Sequence, residues 1–456
     1  MNKIIKSKPA ALLGICITML FLSGNITSYA QNTKHLSLQE AVERGLTNSK
    51  KLQASLAAVD AAGAQTAQMK MQQLPDLKIS GSYLRVSQPT IDLQIPLGTP
   101  DSSGGGGAGA APSLKVNQIM YGMANATWPV FAGFKIRNGI AAAQYLQKAA
   151  ELDADRDKTA VVQNIIDAYY NLYKAGAALH LVQENLVQAK SRVADLQNME
   201  QNGLLARNDL LKAELQQSNV ELTLAEAENN SRICQFNMNL LLGLEEQTAL
   251  TLDSVNTVPL PELNSLEEWE QQALSHRGDY LALAQRQMAA EKNIRVEKGA
   301  YYPAVALTGG YMAGKIPDLV TLSNALNAGV GLSYNLAAFY KTGPKIKAAK
   351  AQQQQLQWTT QQLNDAIRIQ VYKAYQDYLE AMQKIRVYKK AAEQADENYR
   401  ITKNKFDNAL ETTTNLLDAD VAQLQAHLHY EFSRVDAVLA YHKLFETAGM
   451  TAMSFQ

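Results

Sequence analysis

Residues 161–193 read VVQNIIDAYYNLYKAGAALHLVQENLVQAKSRV, and their spacing decides the fold. Val161, Ile165, Tyr169, Leu172, Ala175, Leu179, Val182, Leu186, Ala189 and Val193 recur in steps of three and four. That period is one face of a helix, with the mean step of a coiled-coil seam. No proline interrupts 135–201, so one helix is predicted over that span. At ~1.5 Å per residue it would run on the order of 100 Å, more than a compact domain can enclose.

The pattern occurs twice. Ile367, Val371, Tyr375, Tyr378, Ala381, Ile385, Tyr388, Ala392, Ala395 and Tyr399 repeat it and predict a second long helix over 341–405, with Pro344 in its first turn. A constant offset of 228 pairs Ser37 with Ser265, Glu40 with Glu268, Pro75 with Pro303, Gly81 with Gly309 and Tyr83 with Tyr311. Further along the offset is 206, pairing Lys135 with Lys341, Leu210-Leu211 with Leu416-Leu417 and Gly243 with Gly449. The difference falls on PLGTPDSSGGGGAGAAPS, residues 96–113, a low-complexity loop. Two constant registers indicate a tandem duplication. The first repeat, 31–243, is predicted to hold a helix at 38–74, strands at about 77–95 and 114–131, the long helix and a helix at 208–242. A linker at 244–264 leads to the second repeat, 265–449, with a helix at 266–302, strands at about 304–314 and 325–337, the long helix and a helix at 413–447. Residues 450–456 are a tail. Two short helices end to end about match one long helix, which allows them to lie antiparallel beside it.

The strands carry a different period. Leu326, Ala328, Val330, Leu332, Tyr334 and Leu336 alternate with Asn327, Gly329, Gly331, Ser333 and Asn335, and Leu77, Ile79, Gly81 and Tyr83 alternate with Lys78, Ser80 and Ser82. After Tyr83, Ile91, Leu93 and Ile95 flank Asp92 and Gln94 in the same alternation. Such lengths suit tilted membrane-spanning strands. Four strands cannot close a barrel, and open edges are not tolerated in lipid. Identical copies must therefore share one barrel, eight strands from two or twelve from three.

The N-terminus reads as a secretory signal peptide over 1–30: Lys3, Lys6 and Lys8, then apolar Ala10 to Leu22, then Ser28-Tyr29-Ala30 with cleavage between Ala30 and Gln31. Cys16 leaves with it, so Cys234 has no intrachain disulfide partner. Lys+Arg and Asp+Glu both number 43, and apolar residues make up 46% of the chain. That balance excludes a strongly basic nucleic-acid binder and an acidic disordered tail.

With these features the chain resembles the TolC-type outer-membrane efflux family over essentially its whole mature length. The carriers are the duplicated helix–hairpin–long helix–helix order, Leu38-x-Glu40-Ala41, Trp128-Pro129-Val130-Phe131, and the turn Asn202-Gly203-Leu204-Leu205-Ala206-Arg207-Asn208-Asp209-Leu210-Leu211. The partner turn is Asn408-Ala409-Leu410-Glu411, followed by Leu416-Leu417-Asp418-Ala419. The resemblance implies a mainly α protein with a membrane β-barrel portion. It implies a homotrimer with a twelve-stranded barrel in outer-membrane lipid and a twelve-helix tunnel in the periplasm of a Gram-negative cell. It further implies a periplasmic membrane-fusion adaptor docked at the tips Gly203, Leu204, Leu205, Ala409, Leu410 and Glu411, and an inner-membrane pump beyond it. Ala409 stands where the family has glycine, which puts a left-handed backbone there in question. Asp195, Glu200, Glu393, Asp396 and Glu397 are the acids within reach of a tunnel constriction, where a three-fold axis would gather one of them into a cation-selective ring.

Other signals carry nothing. Gly104-x-Gly106-x-x-Gly109 lies in a glycine run with no helix after it. His427-x-His429 places its two rings in different directions on a helix, and no nucleophile has a plausible base. Neither an enzyme, a cofactor nor a metal site is expected. The expected function is a passive conduit of a tripartite efflux or type I secretion system. The alternative is a soluble periplasmic coiled-coil structural or adaptor protein, and a secreted hydrolase lacks any catalytic constellation.

Overall fold

The computed structural model describes residues 34–87, 116–253, 263–317 and 320–451. The expected signal peptide with its Ala30/Gln31 cleavage site, the strand segment Ile91–Ile95, the loop 96–113 and the tail from 452 lie outside them, as do 254–262 of the expected linker.

In chain order the elements are β1 (Lys34–Leu36), α1 (Leu38–Asn48), α2 (Lys50–Met71), β2 (Asp76–Arg85), β3 (Gln118–Ala132), α3 (Lys135–Gln201), α4 (Arg207–Leu242) and β4 (Leu250–Leu252). The second half follows with α5 (Leu266–His276), α6 (Gly278–Lys298), β5 (Ala304–Ile316), β6 (Val320–Ser333), α7 (Ala338–Asp407) and α8 (Thr413–Thr447). A single 3-10 turn, Gly299–Tyr301, joins α6 to β5.

Ser37 and Ser265 open the two halves alike. Each hydroxyl accepts from the backbone N–H three residues on, Glu40 at 3.2 Å and Glu268 at 3.3 Å, which satisfies a donor the first helical turn leaves free. The helices expected at 38–74 and 266–302 are each broken, at Ser49 and at Arg277, where the backbone is extended. The reason is a docked glycine. Gly243, at the end of α4, sits so close to Asn48 that a Cβ would meet its side chain at 2.8 Å, and Gly449, beyond α8, sits as close to the Arg277 backbone. Asn48 donates to the Leu242 carbonyl at 2.8 Å, and Arg277 donates to the Thr447 carbonyl at 3.1 Å. The breaks and the glycines both obey the repeat offsets.

Smaller differences have local causes. The expected linker contains β4, which pairs in parallel with β1, Lys34 opposite Leu250 and Leu36 opposite Leu252. The last strand begins earlier than expected and stops at Ser333, because Asn335 turns the chain by accepting from the Ala337 N–H at 3.1 Å. Consequently α7 starts at Ala338, which moves Pro344 out of the first turn into the second.

The described residues form two compact units. One comprises residues up to 49, 161–262 and 376–443. Its buried side chains include Leu36, Ile165, Val182, Leu196, Leu210 and Val435. Tyr169 is buried on α3 and donates its hydroxyl to the Leu36 carbonyl at 3.2 Å. The other comprises 50–160, 263–375 and the residues after 443. It buries Ala273, Ile294, Ile367, Val371 and Leu444, with Trp269 and Phe445 edge to face at 4.9 Å.

This second unit carries one antiparallel sheet of order β2-β3-β5-β6. Its register aligns one apolar face through all four strands: Ile79 opposite Ala124, Ala124 opposite Tyr311, and Tyr311 opposite Leu326. The same face holds Leu77, Tyr83, Trp128, Leu307, Val330 and Leu332. The reverse face holds Lys78, Ser80, Ser82, Asn125, Thr127, Thr308 and Asn327. A bulge between Pro129 and Phe131 falls where proline has no N–H to give.

Candidate functional site

Two regions carry the chemistry expected of this chain: the helical-hairpin turns and the sheet.

Both turns use one hydrogen-bond pattern. At the end of α3, Gly203 N–H donates to the Glu200 carbonyl and Leu204 N–H to the Met199 carbonyl, both at 2.9 Å. At the end of α7, Ala409 N–H donates to Phe406 at 2.9 Å and Leu410 N–H to Lys405 at 2.8 Å. Each is a Schellman cap, which needs a left-handed residue at its corner. Gly203 has φ 70° and Ala409 has φ 58°. The alanine therefore keeps the left-handed backbone that its side chain put in question, at a strain cost that glycine avoids.

The six tip residues separate by role. Leu204 and Leu410 are 73% and 75% exposed. Leu205 instead packs inward with Met199, Val193 and Phe406 against buried Leu196, Leu210, Ala213 and Leu417. That cluster ties the two hairpins together. Glu411, at the position of Leu205, folds back onto α8: its carboxylate accepts from the Thr412 N–H at 3.1 Å and from Asn415. Those bonds, Asn415 first, hold its carboxyl below the usual range.

The five acids also differ. Asp396 accepts from Gln423 and lies 2.8 Å from His427 Nε2. Burial pushes its carboxyl up, but the Gln423 and His427 bonds outweigh that and hold it low. Glu397 is bound twice by Arg400 at 2.7 Å, and Glu200 lies 4.0 Å from Arg207. Asp195 is exposed within electrostatic reach of Lys403. Glu393 is exposed with no hydrogen bond or ion pair among the described residues.

A buried charge pair escaped the sequence reading. Arg192 on α3 holds Asp420 on α8 through two bonds, 2.8 and 2.9 Å, and donates to the Tyr399 hydroxyl on α7 at 3.0 Å. The side chains of Arg192 and Asp420 are 9% and 1% exposed. Burial opposes the guanidinium charge, and the bond to Asp420 more than restores it, leaving the arginine pKa raised. The partners lie far apart in the chain, so no spacing reveals them.

On the sheet, Ile79 is 90% exposed, Leu326 81% and Val330 70%, an apolar surface that nothing among the described residues covers. Trp128 and Phe131 rim it near the helices and Tyr83 rims the far side, while Tyr311, opposite Ala124, stands midway. From Met120, opposite Tyr83, to Trp128 is roughly 25 Å of strand, which at a barrel tilt of about 40° spans roughly 20 Å, most of a membrane-barrel apolar band. No helix among the described residues is long and apolar enough to cross a membrane. Nor does any group of three or more His, Cys, Asp or Glu among them stand ready for a metal ion. Cys234 is half-buried rather than enclosed, and burial pushes its thiol up.

Residues 41–244 and 269–449 match the model of a family described as outer membrane efflux protein. The cation efflux system protein CusC of Escherichia coli K12 is 29% identical over 173 residues, 36% of each chain. Outer membrane protein OprJ of Pseudomonas aeruginosa is 25% identical over 277 residues, 60% of this chain and 54% of that one. The matched stretch thus spans about a third to a half of these curated relatives. Among solved structures, the outer membrane protein VceC of Vibrio cholerae superposes with a TM-score of 0.73 at 18% identity, covering 91% of this chain and 96% of that one. That likeness establishes a shared fold.

Proposed function

Because this chain belongs to the outer membrane efflux protein family, we propose that it is the outer-membrane channel of a tripartite efflux or type I secretion system. Three copies join their sheets into one twelve-stranded barrel, and their helices line a periplasmic tunnel. The single observation that carries the reading is the sheet: among the described residues it has one uncovered apolar face, one polar face, and two edge strands, β2 and β6, each without an outer partner. In lipid such edges must be satisfied, and sibling copies supply the missing partners.

The channel performs no chemistry. An inner-membrane pump supplies energy and selects cargo; an adaptor bridges to the tips, where Leu204 and Leu410 offer the exposed apolar contacts. Leu205 and Glu411 shape the turns rather than meet the adaptor. Of the acids, Glu393 is the best candidate for a charged ring, since it has no partner of its own among the described residues. Opening is a repacking of the helices near the tips, where coiled-coil seams admit alternative arrangements.

Purified protein in planar bilayers tests this directly. Stepwise conductance is expected, and a bilayer that stays silent at every protein concentration sinks the proposal. A soluble periplasmic adaptor, the competing reading, would wash from the membrane fraction in high salt, whereas the channel stays with the outer membrane.

A further inference from the structure

Where the sheet passes into the helices lies a groove of about 750 Å³. On one side, α3 presents Arg137 and Lys148, on the stripe that also carries Ala141 and Tyr145. On the other, α6 presents Lys292, Arg295 and Lys298, three residues apart and so on one face. No acid lines the groove among the described residues. Glu291 neutralises Arg295 at 2.7 Å, while Arg137, Lys148, Lys292 and Lys298 have no ion pair among the described residues. Four unneutralised cations gathered in one concavity repel one another unless an anion joins them. The N-terminus of α3 opens beside them and adds its own positive end.

The floor is built for close approach. A Cβ on Gly133 would fall 2.2 Å from the Gly299 carbonyl oxygen, and a Cβ on Gly299 would fall 2.5 Å from that of Gly133. Gly133 and Phe134 both have φ 61° and turn the chain from β3 into α3. This turn aims the Phe134 ring at Phe131 and Tyr302, edge to face at 5.1 and 6.0 Å. Phe131 stands opposite Val305 on the apolar face of the sheet. The aromatic chain thus runs from that face directly into the groove, which Phe134 and Tyr302 also line. Through these rings the groove is continuous with the apolar face of the sheet. It also lies below β3 and β5, the central strands, away from the edges where sibling copies join.

We propose that this groove binds the phosphate headgroup of an anionic membrane lipid. Acyl chains would lie on the apolar sheet face past Trp128 and Leu307, and the phosphate would sit among Arg137, Lys148, Lys292 and Lys298. A polar head in a basic pocket and a tail on an apolar wall is the chemistry of a phospholipid; free phosphate has no use for the aromatic chain. The inference rests on the membrane reading above, since it needs the sheet to stand in lipid.

Native mass spectrometry of the full detergent-extracted protein, titrated with phosphatidylglycerol and separately with phosphatidylcholine of the same chains, tests it. Phosphatidylglycerol should bind about tenfold tighter or more. The triple variant Lys148→Gln, Lys292→Gln, Lys298→Gln should lose that preference, and the triple Lys→Arg variant should keep it. A second neutralised pair on α3 alone, Arg137→Gln with Lys148→Gln, should weaken it should the triple variant misfold. No preference in the unaltered protein, or an undiminished one in the folded glutamine variants, overturns the proposal. So does displacement of phosphatidylglycerol by millimolar inorganic phosphate, which would assign the groove to a free anion. Conductance of the same preparations separates the two claims. A conducting protein without lipid preference defeats the groove alone, and a silent one with the preference defeats the channel alone.

Discussion

Ala409 and Gly203 occupy equivalent corners with equivalent hydrogen bonds but different side chains. Replacing Gly203 with alanine should cost about 1 kcal/mol, and replacing Ala409 with glycine should stabilise by up to about that amount, both read from thermal unfolding. Space around Gly203 is open, so the cost is backbone strain alone. Asp420 is a sharper case. Asp420→Ala strands a buried guanidinium and should cost about 3–5 kcal/mol in denaturant unfolding, whereas Arg192→Met with Asp420→Leu together should cost far less. His442 lies against Tyr170 with its Nδ1 buried and unpartnered, and burial lowers its pKa from 6.5 to about 4. The folded state resists protonation, so its stability contribution is full above the unfolded pKa and fades as pH falls from about 6.5 toward 4. The loss should be at most roughly 3 kcal/mol, and His442→Phe should flatten that part of the stability–pH curve.

Elements were legible wherever a period was long. The steps of three and four from Val161 to Val193 persist because one face of α3 stays buried from Val161 through Leu196. The alternation in Leu326–Leu332 is plain because its two sides face different surroundings. What escaped was set by distant partners. Neither Gly nor Pro marks the break at Ser49, and at Arg277 the following Gly278 is a weak sign; at both, a glycine from far along the chain, Gly243 or Gly449, packs against the break. Arg192 and Asp420 look, one at a time, like solvated residues on a helix. β1 and β4 are three residues each, too short for any pattern. At the tips the sequence marked the turn but not which leucine points out; that depends on the Leu196, Leu210, Leu417 cluster drawing Leu205 inward. The two sheet faces give a test at this scale. Val330→Arg, on the apolar face, should impair membrane insertion by about 2–4 kcal/mol, while Thr308→Arg, on the polar face, should insert nearly as the parent does. Refolding into lipid vesicles followed by heat-modifiable gel mobility reads both.

For the whole molecule, the deciding property is that no strand among the described residues pairs with the outer edge of β2 or β6. In a cysteine-free background, one cysteine in β2 and one in β6, scanned through Leu77–Tyr83 and Leu326–Leu332, should cross-link into a covalent three-chain ladder at matched registers. Cysteines in β3 and β6 should not, because β5 lies between them within one chain. A ladder ending at two chains, or none at any register, would refute the three-fold barrel. The unlike ends also carry a genetic consequence. Each copy offers its β6 to one neighbour and its β2 to the other, so a copy with only β2 disabled can still attach, yet prevents the ring from closing. Expressed equally beside the normal allele, such a copy would leave only about one assembly in eight intact, a dominant phenotype from a lesion that touches neither pore nor partner.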